Sequence, residues 1–137
     1  DGLELNEAAA TNKLAVCLGE ESSYDKHIDN MGGDDLRKLT VLLYLQGQWQ
    51  SRMGGCFRMF SSDDVHAYDD IAPLGGRLLA FWSDTRVHAV CPSFAPAGAE
   101  EHRWALTVWL HASEPAAIRS DPRLEALHFP LQQHGQG

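Results

Sequence analysis

The chain has 137 residues, 44% of them hydrophobic, and a formal net charge of −8 at pH 7. That length reads as one domain with room for a real core. The acidic balance argues against nucleic acid or an anionic membrane surface as partner, and no apolar run is long enough to cross a bilayer as a helix. Cys17, Cys56 and Cys91 are an odd number with no CxxC pair. They fit the reduced thiols of a cytoplasmic or nuclear protein better than a disulfide framework or a zinc cluster. The chain begins at Asp1 rather than a methionine, so it reads as truncated at the N-terminus, with any targeting segment outside it.

In chain order, residues 1–12 are small and polar, with a helical turn expected across Asn6 to Ala10. Lys13 to Leu18 (KLAVCL) is a short apolar run and reads as a buried strand. A turn over 19–23 leads to a second strand, Tyr24 to Asp29, then a loop over 30–35. Arg37 to Gln46 (RKLTVLLYLQ) reads as a central strand. After a turn over 47–52, Gly54 to Phe60 (GGCFRMF) reads as a strand opened by a double glycine, a sign of a bulge or of close approach to a ligand. Ser61 to Ile71 is acidic and polar and reads as loop. Pro73 to Gly76 turns into the strand Arg77 to Trp82, and His88 to Cys91 is a short strand closed by Pro92. Ser93 to Glu101, with Pro96 and Gly98, is a loop before the last strand, Arg103 to His111 (RWALTVWLH). Asp121-Pro122 opens a short helix through Leu127, and the Gln/Gly-rich end is expected to be loose. Many short strands with regular turn punctuation predict an all-β sandwich, barrel or jelly roll in a single domain over 1–137, with its core at 13–111.

Strand parity adds a detail. In Arg103 to His111 the odd and even positions are both largely apolar, so both faces should be covered. Either helices outside this chain lie on the even face, or two sheets cover each other.

The chemistry starts from His27-x-Asp29. In an extended strand, residues two apart share a face, so an imidazole and a carboxylate project together. Such a pair is common by chance. A second histidine on a later strand, His88, turns it into two His and one carboxylate, the facial triad that holds Fe(II) with open positions. A 2-oxo acid co-substrate chelating there needs a cation for its distal carboxylate. Arg103 has the planar fork for that, a phenol such as Tyr44 could complete the hydrogen bonds, and Trp109 could wall the pocket. A jelly-roll module that holds a metal or a sugar without catalysis stays open at this point.

The motifs Tyr24-x-x-His27-x-Asp29-Asn30, Leu43-Tyr44-Leu45, Trp49 and Gly54-Gly55-x-x-Arg58-x-Phe60 resemble the catalytic domain of the 2-oxoglutarate-dependent prolyl hydroxylases. Phe81-Trp82-Ser83-Asp84, His88-x-Val90-x-Pro92 and Arg103-x-Ala105-x-Thr107-Val108-Trp109 continue the likeness in order, from about Leu14 to Trp109. It is nearest the oxygen-sensing type that acts on hypoxia-inducible factor. The resemblance implies a double-stranded β-helix, a distorted jelly roll. It implies that His27, Asp29 and His88 bind iron and that Arg103 and Tyr44 bind the distal carboxylate of 2-oxoglutarate. Thr107, Leu42 and Trp109 match positions lining the co-substrate pocket. The cofactors implied are Fe(II), 2-oxoglutarate, O₂ and ascorbate. The implied reaction hydroxylates a proline in a protein or peptide and releases succinate and CO₂, by a monomer with no nucleic-acid or membrane partner. Hydroxylation of another side chain or of a small molecule is the runner-up. Departures concern the rim of the site, where the loop after Leu18 and the connection Ser83 to His88 are each one residue shorter than in the family. Leu18 stands where the oxygen-sensing members carry a tyrosine, and the connection from Pro92 to Arg103 is longer.

Overall fold

The computed structural model describes residues 3–95 and 101–130. Eight strands form two four-stranded antiparallel sheets that face each other. The strands are β1 (Leu5–Cys17), β2 (Ser22–His27), β3 (Arg37–Tyr44), β4 (Phe57–Phe60), β5 (Tyr68–Ile71), β6 (Leu78–Trp82), β7 (His88–Ser93) and β8 (Arg103–Ala112). One sheet runs β1-β8-β3-β6 and the other β2-β7-β4-β5. Each sequence neighbour tends to lie in the opposite sheet, which is jelly-roll winding, so the expected all-β core is present. A short helix α1 (Pro122–His128) follows; the Asp121 carboxylate accepts from the Arg123 and Leu124 amides and caps it. It packs through Leu124 on Ile28 and Val87.

Alternation decides which side chains meet between the sheets. In β3, Lys38, Thr40, Leu42 and Tyr44 are buried while the residues between them are half-buried. Cross-strand register groups the inward residues into rungs: Thr11–Trp109–Thr40–Phe81, then Lys13–Thr107–Leu42–Leu79, then Ala15–Ala105–Tyr44, then Cys17–Arg103. Successive rungs stand about 7 Å apart, two residues of strand rise. Between the sheets, Leu42, Phe57 and Phe81 form the apolar cluster beneath the site.

Several expectations change. The turn expected at Asn6–Ala10 is strand, because residues 10–17 pair continuously with β8 and a bulge before Ala10 lets the pairing extend to Leu5. Part of the acidic stretch 61–71 is strand β5, where Asp70 pairs with Arg58 across the ladder; cross-strand charge pairing outweighs a poor propensity. Residues 51–53 form a 3-10 turn, and β4 begins only at Phe57. Strand β7 continues past Pro92 to Ser93, since the Pro92 carbonyl still accepts from the Gly55 amide. Of the two coverings expected for β8, the facing sheet covers the odd positions. On the even face, the Leu14–Leu106–Leu43–Leu78 rung points outward, with Leu14 and Leu78 59% and 62% exposed. Pro96, Gly98 and the residues after 130 fall outside the described residues.

Candidate metal and co-substrate site

The pocket between the sheets is lined at one end by His27, Asp29, His88 and Trp109, and at the other by Arg103. His27 ends β2 and His88 opens β7, and the two are cross-strand partners. Asp29 lies just past the end of β2, so the expected same-face strand geometry is not what aligns it. Arg37 Nη2 donates to its carbonyl and Thr40 and Trp109 to its carboxylate, and the loop that follows is anchored by Asn30, 1% exposed. Its amide donates to the Asp35 and Arg37 carbonyls and its oxygen accepts from Gly32, which ties the loop after Asp29 to β3.

The donor atoms of His27, Asp29 and His88 lie within 4.8 Å of one another. Nε2 of His27 and Nε2 of His88 stand 3.3 and 3.4 Å from the same oxygen, Asp29 Oδ1. Each imidazole uses Nδ1 on a backbone carbonyl, Asp25 at 2.6 Å and Arg86 at 2.9 Å. A carbonyl can only accept, so Nδ1 carries the proton and Nε2 of a neutral ring offers a lone pair. Two lone pairs facing a carboxylate oxygen repel unless a cation sits among them. The other carboxylate oxygen, Oδ2, is taken by Thr40 Oγ1 at 2.7 Å and Trp109 Nε1 at 3.1 Å. The site therefore has three ligand atoms aimed at one point, each oriented by an outer hydrogen bond, as a metal centre requires. Phe57 and Phe81 pack on the His88 ring at centroid distances of 5.0 and 4.7 Å and seal one side. Two imidazoles and a carboxylate suit Fe(II) and leave further positions free.

The electrostatics agree. Burial pushes the Asp29 carboxyl up, but hydrogen bonds from His27, His88 and Thr40 together hold it well below the usual carboxylate range. The hydrogen bond to Asp29 raises His27 above its ordinary value, against burial. The point that suits a cation thus also favours a proton on His27.

At the far end Arg103 is 6% exposed. Nε donates to the Gly55 carbonyl at 2.8 Å and Nη2 to Tyr44 Oη at 3.4 Å, while Nη1 lies 4.0 Å from Cys17 Sγ. Among the described residues no carboxylate pairs with it. A buried guanidinium with only neutral acceptors is costly unless an anion joins it. Burial pushes the Tyr44 phenol up, Arg103 notwithstanding, so it stays a hydroxyl able to donate. The double glycine has its explanation here. Gly55 has φ +70, and a Cβ on it would lie 2.9 Å from the Arg103 side chain.

Of the residues named from sequence, His27, Asp29, His88, Leu42, Arg103, Thr107 and Trp109 line this pocket. Tyr44 stands behind it, against Arg103. Leu18 is exposed, whereas Cys17 turns inward at the end of β1 beside Arg103. Thr40 was missed, although it shares the inward face of β3 with Leu42 and Tyr44 and parity alone could have found it. Lys13 and Tyr24 also line the pocket.

Comparison with known proteins fits this geometry. Residues 13–111 match the model of the 2OG-Fe(II) oxygenase superfamily. The chain is 38% identical over 106 residues to prolyl hydroxylase EGLN3 of Homo sapiens, covering 76% of this chain and 41% of that protein. It is similar to a prolyl hydroxylase from Trichoplax adhaerens solved with a hypoxia-inducible factor oxygen degradation domain peptide. There the TM-score is 0.69 at 30% identity, over 87% of this chain and 50% of that one. A prolyl 4-hydroxylase from Phytophthora capsici gives TM-score 0.69 at 31% identity, over 81% of this chain and 36% of that one. The chain thus spans about two fifths of the EGLN3 proteins it matches. With the matched segment enclosing every one of the pocket residues, the chain belongs to the 2OG-Fe(II) oxygenase superfamily.

Proposed function

We propose that this domain is a 2-oxoglutarate-dependent dioxygenase that hydroxylates a proline in a protein substrate. His27, Asp29 and His88 hold Fe(II). Arg103 and the Tyr44 hydroxyl take the distal carboxylate of 2-oxoglutarate, and Leu42, Thr107 and Trp109 wall the space between. Bound Fe(II) with 2-oxoglutarate and O₂ supplies the oxidising power for C–H hydroxylation, with succinate and CO₂ released; ascorbate keeps the metal ferrous.

The chain's own residues do the positioning. Thr40 and Trp109 occupy Asp29 Oδ2, which leaves Oδ1 for the metal. Phe57, Phe81 and Val90 keep water from the inner wall, where it would dampen the electrostatics. The observation that carries the reading is Arg103, a buried cation in want of an anion in the same pocket as the His–Asp–His cluster. Proline as the target rests on the prolyl hydroxylases the chain resembles, one of them solved with its peptide. We further place the domain, with its core at 13–111, in a monomeric protein of the cytoplasm or nucleus, a setting its three free cysteines suit.

The test is mass spectrometry of proline-containing peptides incubated with the protein, Fe(II), 2-oxoglutarate and ascorbate. A gain of one oxygen on proline with matching succinate is expected. A protein that binds metal and 2-oxoglutarate yet oxidises another residue overturns the substrate, and failure to bind Fe(II) or Mn(II) overturns the enzyme.

A further inference from the structure

Among the described residues the pocket wall carries two Lys or Arg side chains, Arg103 and Lys13. Lys13 is cross-strand from Thr107, one rung from Trp109–Thr40 and two rungs from Cys17–Arg103. It therefore sits nearer the metal end than the buried end. Its ammonium lies 5.2 Å from the centroid of the Tyr24 ring. Tyr24 is likewise one rung below the histidines, opposite Val90 where His27 is opposite His88. The two side chains thus bridge the edge strands of the facing sheets, β1 and β2, and close that flank of the pocket. Among the described residues no carboxylate pairs with Lys13. Its stem lies along the wall and its head stays in water, so the charge costs little to keep there unpaired.

A 2-oxo acid held between the His–Asp–His cluster and Arg103 would have its first carboxylate at the metal end, the end nearer Lys13. We propose that Lys13 binds that metal-proximal carboxylate, so that the pocket meets the dianion with a cation at each end. The inference rests on the reading above, in which the ligand is 2-oxoglutarate. Lys13 is exposed at the edge of the pocket, so a role towards the polypeptide is separated from this one by the peptide arm of the test. The ammonium is a point charge with three donors and needs no fork geometry, so arginine can replace it in charge.

The test is equilibrium binding of two acids, and of an acidic proline-containing peptide, to the Mn(II)-loaded protein without O₂. One is 2-oxoglutarate; the other is 2-oxobutyrate, which has only the proximal carboxylate. Lys13→Met should weaken both by a similar factor, about three- to tenfold for a partly solvated charge pair, and Lys13→Arg should recover most of the loss. Unchanged binding of both acids overturns the inference. So does a loss confined to 2-oxoglutarate, which would put Lys13 on the distal carboxylate, or one confined to an acidic proline-containing peptide. These outcomes presuppose that the wild type binds the acids in a Mn(II)-dependent way. If it does not, the functional reading falls first and this inference with it.

Discussion

The two ends of the pocket solve opposite electrostatic problems. At the triad end a half-buried carboxylate, Asp29, is surrounded by donors and by two imidazoles, and every outer position is held by a hydrogen bond. At the far end a buried guanidinium, Arg103, has only a carbonyl, a phenol and a thiol. The first end is built to take a cation at its centre, and the second to take an anion. One pocket that wants a metal ion at one end and a carboxylate at the other is shaped for a chelating acid with a second carboxylate. The difference also says how each end fails. Removing an atom from the triad end undoes a centre, whereas removing the charge at the far end costs only the ligand.

The largest expected effect breaks the triad end. Asp29→Ala should abolish Mn(II) and Fe(II) binding in calorimetry and reduce turnover below detection, because it leaves two imidazoles with no anionic ligand. Next is the far end. Arg103→Met should weaken 2-oxoglutarate at least about 30-fold, in line with roughly 2–5 kcal/mol for a buried, hydrogen-bonded charge pair. Mn(II) affinity should be unchanged and the Tm of the ligand-free protein at least as high, since an uncompensated buried charge has gone. Gly55→Ala comes third. The positive φ and the clash with Arg103 should cost about 1–3 kcal/mol of stability in denaturant titration and shift 2-oxoglutarate binding with it. Thr40→Val is smaller. Loss of the hydrogen bond to Asp29 should lower metal affinity about tenfold, measured by competition with a chelator.

The smallest effect is on pH. His27 titrates above its unfolded value, so its proton-linked stabilisation of the metal-free protein is full below about pH 6.5 and is lost as pH rises through the folded value. Metal needs the neutral ring. The rise in Tm on adding Mn(II) should therefore be larger at pH 8 than at pH 6.5, and an equal rise at both would separate His27 from the metal.

Much of this was legible in the sequence, for reasons that differ by residue. Strand β8 carries a clear apolar pattern, so Arg103, Thr107 and Trp109 were placed on one face by parity, whereas Tyr44 was named as a phenol suited to the carboxylate and Leu42 through the resemblance alone. His27, Asp29 and His88 were found by residue type and order, not by the geometry first assigned to them. Asp29 lies outside β2 and is held by Thr40 and Trp109, tertiary contacts that spacing cannot reveal. Strand β5 was missed because its support is the Arg58–Asp70 pair across the ladder, while its own residues read as loop. Lys13 was read only as the start of a strand; its place in the pocket depends on register with Thr107, which no local pattern encodes.

The most direct test of the two-ended pocket is 2-oxoglutarate binding, without O₂, to wild type, Asp29→Ala, Arg103→Met and the double variant, each with and without Mn(II). Tight binding is expected only to Mn(II)-loaded wild type, with the double variant little worse than Asp29→Ala alone, because both ends act on one molecule. Binding that ignores Mn(II), or losses that simply add, would contradict it.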